Sequence, residues 1–541
     1  MSEQKLEGDI RPKVNAGTPI SYLCLDFLTP LPAPHHGAAS GASLPLRPDL
    51  NGYSDPIGWP TTRKYIICHL LCIATMLTTY AAGAYSPPVD LMAAEFGVSR
   101  VAVLTGTTTF CIGFALAPML LAPFSELNGR YPVFVAAGVL FVFSQVLCGL
   151  VLNLAGMLVA RFLSGVGCSV FSTMIGGVIA DMWPKEERNT PMAIYSGAVL
   201  VGTGLGPFAA SLMVYRWADN SVTTGLTASW RWVFWHQAIL DGACLLAIVL
   251  FLRESRGSVL LGRKARALNA WYEVLEQHGV YGAWFQPDQP AAVQDVPNTV
   301  QTIQGVGVGE EVAMQHRNEL ELRRIRWLVE DEEHRTSIVT MIRVSVSLPF
   351  TLLFTEPVVL VFALWASFSW AVLFLCFSAI PLVFKGRYDF NAAQVGYIFV
   401  SMMVGSIVGT AVGVCQESLL RHSRWISSGL PDNPSSDDRF WSFMRRHFPV
   451  ESPESRLYLT CFTSVFLPLG LYLFGFAAQA QFHWIVPALG IGFSTFGVYT
   501  IYLATFNYLA DSYRSYASSA LAAQGFCRYA LAGIFPLVYV I

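Results

Sequence analysis

Eleven stretches of twenty or more predominantly apolar residues, separated by polar segments, constrain this chain more than any other feature. They cover 65–88, 101–123, 133–154, 157–180, 192–214, 232–252, 358–384, 393–414, 457–476, 484–509 and 517–541. A helix crossing the hydrocarbon of a bilayer needs about twenty such residues, because each adds ~1.5 Å to a layer ~30 Å thick. Composition points the same way. With 54% hydrophobic and 13% charged residues, 541 residues hold too little polar surface to cover soluble domains of that mass. None of the stretches alternates in the ten-residue manner of a barrel strand. The expected class is an all-α polytopic membrane protein.

The loops orient the spans. Arg100, Arg216, Arg231, Lys385 and Arg387 fall on one side, Arg161 and Arg528 lie within spans, and the rest of the 34 Lys and Arg lie on the other side. The excess of positive charge marks the cytoplasmic side, which also takes the N-terminus. A net charge of -2 excludes a general basic field, so no nucleic-acid partner is expected. The eleven cysteines form no CxxC pair and no His cluster of ligand spacing, so no metal is expected, and no cofactor or Walker sequence is present. Residues 1–64 are polar and rich in Pro, Gly and Ser, without the basic-then-apolar pattern of a cleaved signal, and read as a disordered cytoplasmic tail. Residues 253–356 read as a cytoplasmic central loop in which ELELRRIRWLVEDEEHR, 319–335, is expected to form an amphipathic helix.

Few charges interrupt the spans, and charge in hydrocarbon is costly enough that each is a functional candidate. Arg161 sits about one turn into the fourth span and Asp241 near the middle of the sixth. Burial favours the neutral form of a carboxylate, so Asp241 suits a proton-titrating group or a counter-ion to a cationic substrate. A pair with His236 or Gln237 is its structural alternative. Arg528 in the last span suits an interhelical polar network or a substrate contact. Gly202, Gly206 and Pro207 are spaced for close helix approach and a bend in the fifth span. Of the aromatic residues spaced for stacking, Trp370, Phe374, Phe377, Phe496, Tyr499, Tyr502 and Phe506, only one or two are expected to touch substrate. Between the second and third spans, APFSELNGRYP (122–132) packs Glu126, Gly129, Arg130 and Pro132 into a tight turn, with Gly129 free to take a conformation closed to other residues and Glu126 close enough to pair with Arg130.

APFSELNGRYP resembles the loop motif of the major facilitator superfamily in the form found in fungal drug:proton antiporters. LVARFLSGVGCS (158–169) resembles that family's fourth-span motif, and GTGLGPFAAS (202–211) its antiporter motif. DPIGWP (55–60), SWRWVFW (229–235), ESRGSVLLGRKARAL (254–268), LLFTEPVV (352–359), PESRL (453–457), HWIVP (483–487) and YLADSYRSYASSALAAQGFCRYALAGIFPL (508–537) follow in the same order. Departures include Ala122, Tyr131, Ala210-Ser211, and an apolar seventh span with Trp370, Ala371, Phe374 and Ser378.

The resemblance implies two six-helix bundles, here 65–252 and 357–541, with five spans legible in the second and the twelfth missing. It implies alternating access, with Arg161 helping to couple protons and Asp181 and Arg188 forming a cytoplasmic latch with Glu126 and Arg130. Gly202, Gly206 and Pro207 would support antiport, and Trp370, Phe374, Tyr499 and Arg528 would line a substrate cavity. The implied activity is proton-coupled efflux of drugs, toxins or a secondary metabolite by a monomer in the plasma membrane, not catalysis. A nutrient uniporter or symporter, or a truncated product that no longer transports, are the alternatives.

Overall fold

The computed structural model describes residues 20–31, 46–185, 187–218, 229–277, 283–285, 321–329, 338–420, 439, 442–443, 446–449, 452–479, 482–513 and 516–538. Among them, eleven helices are long and apolar enough to cross a membrane: spans 1 (Thr61–Ala84), 2 (Arg100–Ala122), 3 (Arg130–Leu150), 4 (Leu154–Met182), 5 (Asn189–Arg216), 6 (Trp232–Phe251), 7 (Pro357–Tyr388), 8 (Ala392–Gln416), 9 (Tyr458–Gln479), 10 (Ile485–Tyr513) and 11 (Ser519–Val538). Polar caps fix where several begin. Ser99 accepts from Ala102 N, Asn153 from Gly156 N, and Asn391 and Gln394 close a reciprocal box.

Two compact units result, one of 60–255 with 338–541 and one of 1–59 with 256–337. In the first, span 1 packs along span 5, span 2 along span 4, and span 3 along spans 4 and 6; span 7 packs along span 11, and spans 8 and 9 along span 10. The two groups of spans meet where span 5 lies on span 8 and span 2 on span 11. Their outer faces remain greasy: Ile112, Leu116 and Leu120 recur every fourth residue of span 2 and are each more than 40% exposed. In water such a stripe would aggregate; against lipid chains it needs no cover.

The face opposite Thr61 is tied by a buried cation. Arg231, fully enclosed, pairs with Glu95 at 2.6 Å and donates to the carbonyls of Gly149 and Val151 at 3.0 and 2.6 Å, while Trp230 Nε1 donates to the same carboxylate at 2.5 Å. Removing one partner of such a pair leaves the other charge desolvated and unanswered. Glu95→Ala is expected to destabilise the purified chain by about 3–5 kcal/mol, read as a fall in Tm. Asp90→Ala, which breaks the exposed pair with Arg100, should leave Tm nearly unchanged.

The second unit corrects two expectations. Residues 321–328 form a strand, β3 (Glu321–Leu328), not a helix. The cause is an alternation of period two: Ile325, Trp327 and Val329 are buried while Arg324 and Arg326 turn outward to Glu276 at 2.6 and 2.7 Å. The tail is not wholly without structure either. β1 (Ile20–Cys24) pairs in parallel with β3, and β2 (Ala283–Phe285) pairs antiparallel on its other edge. The helix Gly257–Gln277 covers this sheet with Leu268, Tyr272 and Leu275, and Asn269 bonds both the N–H and the carbonyl of Trp327. Burial pushes the Glu276 carboxyl up, but its bonds from Arg326 and Arg324 outweigh that and hold it below the usual carboxylate range.

Candidate functional site

The turn that joins spans 2 and 3 is shorter than the sequence suggests. The helix of span 2 runs on to Asn128 and that of span 3 starts at Arg130, so Gly129 alone separates them, at φ 101 and ψ 160. Arg130 then points back into the protein. Its Nε meets Asp181 at 3.2 Å and its Nη1 donates to Ser125 Oγ at 3.0 Å. The partner on the other side is Glu254, which accepts from the backbone N–H of Arg130 at 2.9 Å and of Tyr131 at 3.3 Å. A carboxylate on the first N–H groups of a helix answers donors the helix cannot satisfy and complements its dipole. The acid that caps span 3 is therefore Glu254, and Glu126 stands outside this set because the break at Gly129 places it and Arg130 on different helices. Arg188 serves locally, donating to the carbonyls of Ala180 and Trp183 at 3.3 and 3.4 Å.

A matching pair lies in the second half. Arg456, just before span 9, meets Asp511 at the end of span 10 at 3.1 Å, as Arg130 at the start of span 3 meets Asp181 at the end of span 4. Near it Asn507 donates to Asn189 of span 5 at 3.0 Å, and Tyr499 donates to Ala193 O at 3.0 Å. A narrow cleft lies there, lined by Asn189, Gln416, Arg456, Tyr499 and Asn507 among others. At the opposite face Ser86 donates to Phe377 O at 2.9 Å. The two halves therefore touch at both faces.

Deeper in, spans 1 and 5 cross at van der Waals distance. A Cβ on Gly206 would meet the carbonyl of Tyr80 and lie 2.9 Å from Ala84 N; one on Gly202 would strike Thr79 and the carbonyl of Met76. Pro207, which removes one backbone donor within the helix, faces Gly83 across the crossing. Beside it, His236 Nδ1 lies 2.9 Å from the carbonyl of Trp232, which can only accept, so Nε2 is left to accept from the Tyr80 hydroxyl at 2.5 Å.

That arrangement leaves Asp241 alone. His236 is engaged by Tyr80, and Gln237 reaches Leu77 O at 3.5 Å. Asp241 is 4% exposed, halfway along span 6, and neither carboxylate oxygen has a hydrogen-bond partner. Arg161 is its positive counterpart on span 4: wholly buried, its guanidinium 4.5 Å from the rings of both Tyr85 and Phe110, it gives Nη1 to Ala81 O at 3.2 Å and leaves Nε and Nη2 unpartnered. A side chain snorkelling to a headgroup would be exposed at its tip, and this one is not.

The remaining candidates divide. Arg528 lies within 4.8 Å of the rings of Trp370, Tyr502 and Tyr529. Phe374 packs on Phe377 at 5.2 Å, and Tyr499 is turned toward span 5. Among the described residues no group of three His, Cys, Asp or Glu could hold a metal ion.

The family model of the Major Facilitator Superfamily matches residues 71–536. The chain belongs to that superfamily. It is 27% identical to the transporter paaT of Penicillium rubens, over 88% of this chain and 72% of that one. It is 26% identical to a probable drug/proton antiporter, YHK8, of Saccharomyces cerevisiae (88% and 77% covered) and to the multidrug transporter FLR2 of Candida glabrata (89% and 68%). Among solved structures, the partially occluded inward-open xylose transporter XylE of E. coli aligns with a TM-score of 0.53 at 15% identity, covering 88% of this chain and 92% of that one. That likeness shows the major facilitator fold. Within it, the sequence motifs located Arg130, Asp181 and Arg161 but missed Glu254 and the Arg456–Asp511 repeat. Glu254 and Arg456 stood inside motifs already noticed, ESRGS and PESRL.

Proposed function

We propose that this major facilitator transporter is a proton-coupled exporter of small amphipathic organic molecules, acting as a monomer in the plasma membrane with its N-terminus in the cytoplasm. The observation that carries the reading is Asp241, a carboxylate at mid-depth with no partner for either oxygen. A group so placed gains or loses a proton only when the surrounding helices open to water, which ties its protonation to the conformational cycle. Relatives described as a drug/proton antiporter and a multidrug transporter support the direction and the coupling. Alternating access would run on the contacts of Asn507 with Asn189 and of Tyr499 with Ala193, which join the halves at one face while the contact of Ser86 with Phe377 opens, and conversely.

The test is efflux of a fluorescent amphipathic dye from yeast stripped of its own pumps, with and without a protonophore. Export that collapses with the protonophore is expected from the unaltered chain. Arg161→Ala is expected to slow it by roughly ten-fold or more at equal amounts of membrane-inserted protein, since a charge-assisted contact is worth about that factor. Export indifferent to the protonophore would sink the proton-coupled reading.

A further inference from the structure

We propose that Arg528, Trp370 and Tyr502 form the binding site for an acidic group on the transported molecule, so that the substrates are amphipathic organic acids carried as anions. The proposal deepens the transport reading and rests on it. Three spans build the site at mid-depth: Trp370 from span 7, Tyr502 from span 10 and Arg528 from span 11, each at least 96% buried. Spans 7 and 10 both pack on span 11, which brings these three side chains together. Across from them stand Ser172 of span 4 and Tyr195 of span 5, so the cluster lies where the two halves meet.

The inventory of donors and acceptors decides what the cluster is for. The Tyr195 hydroxyl is spent on the carbonyl of Ser172, and the Tyr529 hydroxyl pairs with Ser172 Oγ at 3.2 Å. What remains is a surplus of donors. Arg528 Nε and Trp370 Nε1 are buried N–H groups without an acceptor, and neither a guanidinium nor an indole can accept. The Tyr502 hydroxyl makes no hydrogen bond of good geometry, although it adjoins both the guanidinium and Tyr195. No carboxylate stands within ion-pairing distance of Arg528 among the described residues. A network that served packing alone would close its bonds, since each unanswered buried donor is costly.

The rings offset part of the cost of burying the cation: the guanidinium carbon sits 4.7 Å from the Trp370 ring and 4.8 Å from those of Tyr502 and Tyr529. They do not supply an acceptor. An anion would do so, taking the N–H of Arg528 and Trp370 and the O–H of Tyr502. The same aromatic faces would provide flat apolar walls for the body of the molecule. Arg161, also buried without an ionic partner, differs because it gives one N–H to the protein backbone and stands within the first half, between Tyr85 and Phe110.

The test uses the purified full-length chain in detergent and two matched probe pairs, 1-naphthaleneacetate with 1-naphthaleneacetamide, and benzoate with benzamide. Within each pair the body is constant and only the charge changes. Calorimetric titration is expected to show at least one acid binding roughly ten-fold or more tightly than its amide. Arg528→Gln should erase that preference. Trp370→Phe, which keeps an aromatic wall and deletes only the N–H, should weaken the acid by roughly three- to ten-fold and spare the amide. Amides that bind as well as their acids would overturn the proposal. So would a preference that survives both substitutions, or acids that fail to bind at all. Binding is measured here without a gradient, so this result is distinct from the protonophore test, whose failure would fall on proton coupling alone.

Discussion

An Asp241→Asn chain is expected to bind its substrate and exchange it across the membrane, yet to stop concentrating it. Asparagine has nearly the shape of aspartate and cannot ionise in the conditions of the assay, so the substitution removes the titrating proton with little change in packing. Stability should hold or rise, because the replaced group is a buried carboxylate with no hydrogen-bond partner. The loss should appear in the work done. One charge moved through 100 mV is worth about 2.3 kcal/mol, and a carrier that uses it can hold a concentration ratio of about fifty-fold. In proteoliposomes with an imposed proton gradient, the unaltered chain should build such a ratio, and the variant should only equilibrate substrate. Counterflow in the absence of a gradient should persist in both. Uphill transport by the variant at the unaltered rate would remove Asp241 from the coupling step and leave Arg161, the buried cation of span 4, as the group to examine.

The spans were legible because a run of twenty apolar residues has few uses other than crossing a bilayer. Their ends were less so. The first apolar stretch extends to Pro88, whereas the helix stops at Ala84, because Ser-Pro-Pro cannot continue it. Conversely the seventh helix runs past its apolar stretch to Tyr388, carrying Lys385 and Arg387 in a last turn where positive charge suits the dipole. Hydropathy marks where lipid begins, and backbone chemistry marks where the helix ends.

Asp241, Arg161 and Arg528 stood out in the sequence for the same reason as the spans: a charge in a greasy run is conspicuous. Their partners did not. Whether Asp241 paired with His236 was decided by Tyr80, which arrives from span 1 and takes the imidazole. The box around Arg528 is assembled from spans 7, 10 and 11, and no spacing along one helix reports a contact among three. The strand at Glu321–Leu328 was misread for a related reason. RRIRWLV alternates with period two, but its acidic and basic residues suggest a helix face until β1 and β2 are seen on its two edges.

The second large effect is expected at the turn between spans 2 and 3, where Gly129 and Glu254 compete for one place. At φ 101 any residue with a Cβ is strained, at a cost of about 1–2 kcal/mol. Here a Cβ would also lie 2.6 Å from Glu254 Cδ and closer still to its Oε2. Gly129→Ala must therefore push Glu254 off the N–H groups of Arg130 and Tyr131. Glu254→Ala removes the same cap directly, at roughly 2–4 kcal/mol for two charge-assisted bonds. If the cap helps hold this face shut, either change should raise the reaction rate of a cysteine placed at Asn507, beside the Asn189 contact, with a membrane-impermeant maleimide in a chain whose exposed Cys24, Cys415 and Cys461 are replaced by serine. By the energies above, the rise should reach roughly ten-fold or more, with export slowed in parallel. The double variant discriminates between a clash and a second fault. Once Glu254 is gone the added methyl at position 129 has nothing to strike there, so Gly129→Ala should cost the Glu254→Ala chain only its backbone strain, and the two effects should fall well short of adding. Full additivity, or a labelling rate that neither substitution moves, would show that Glu254 caps span 3 without governing how the transporter closes.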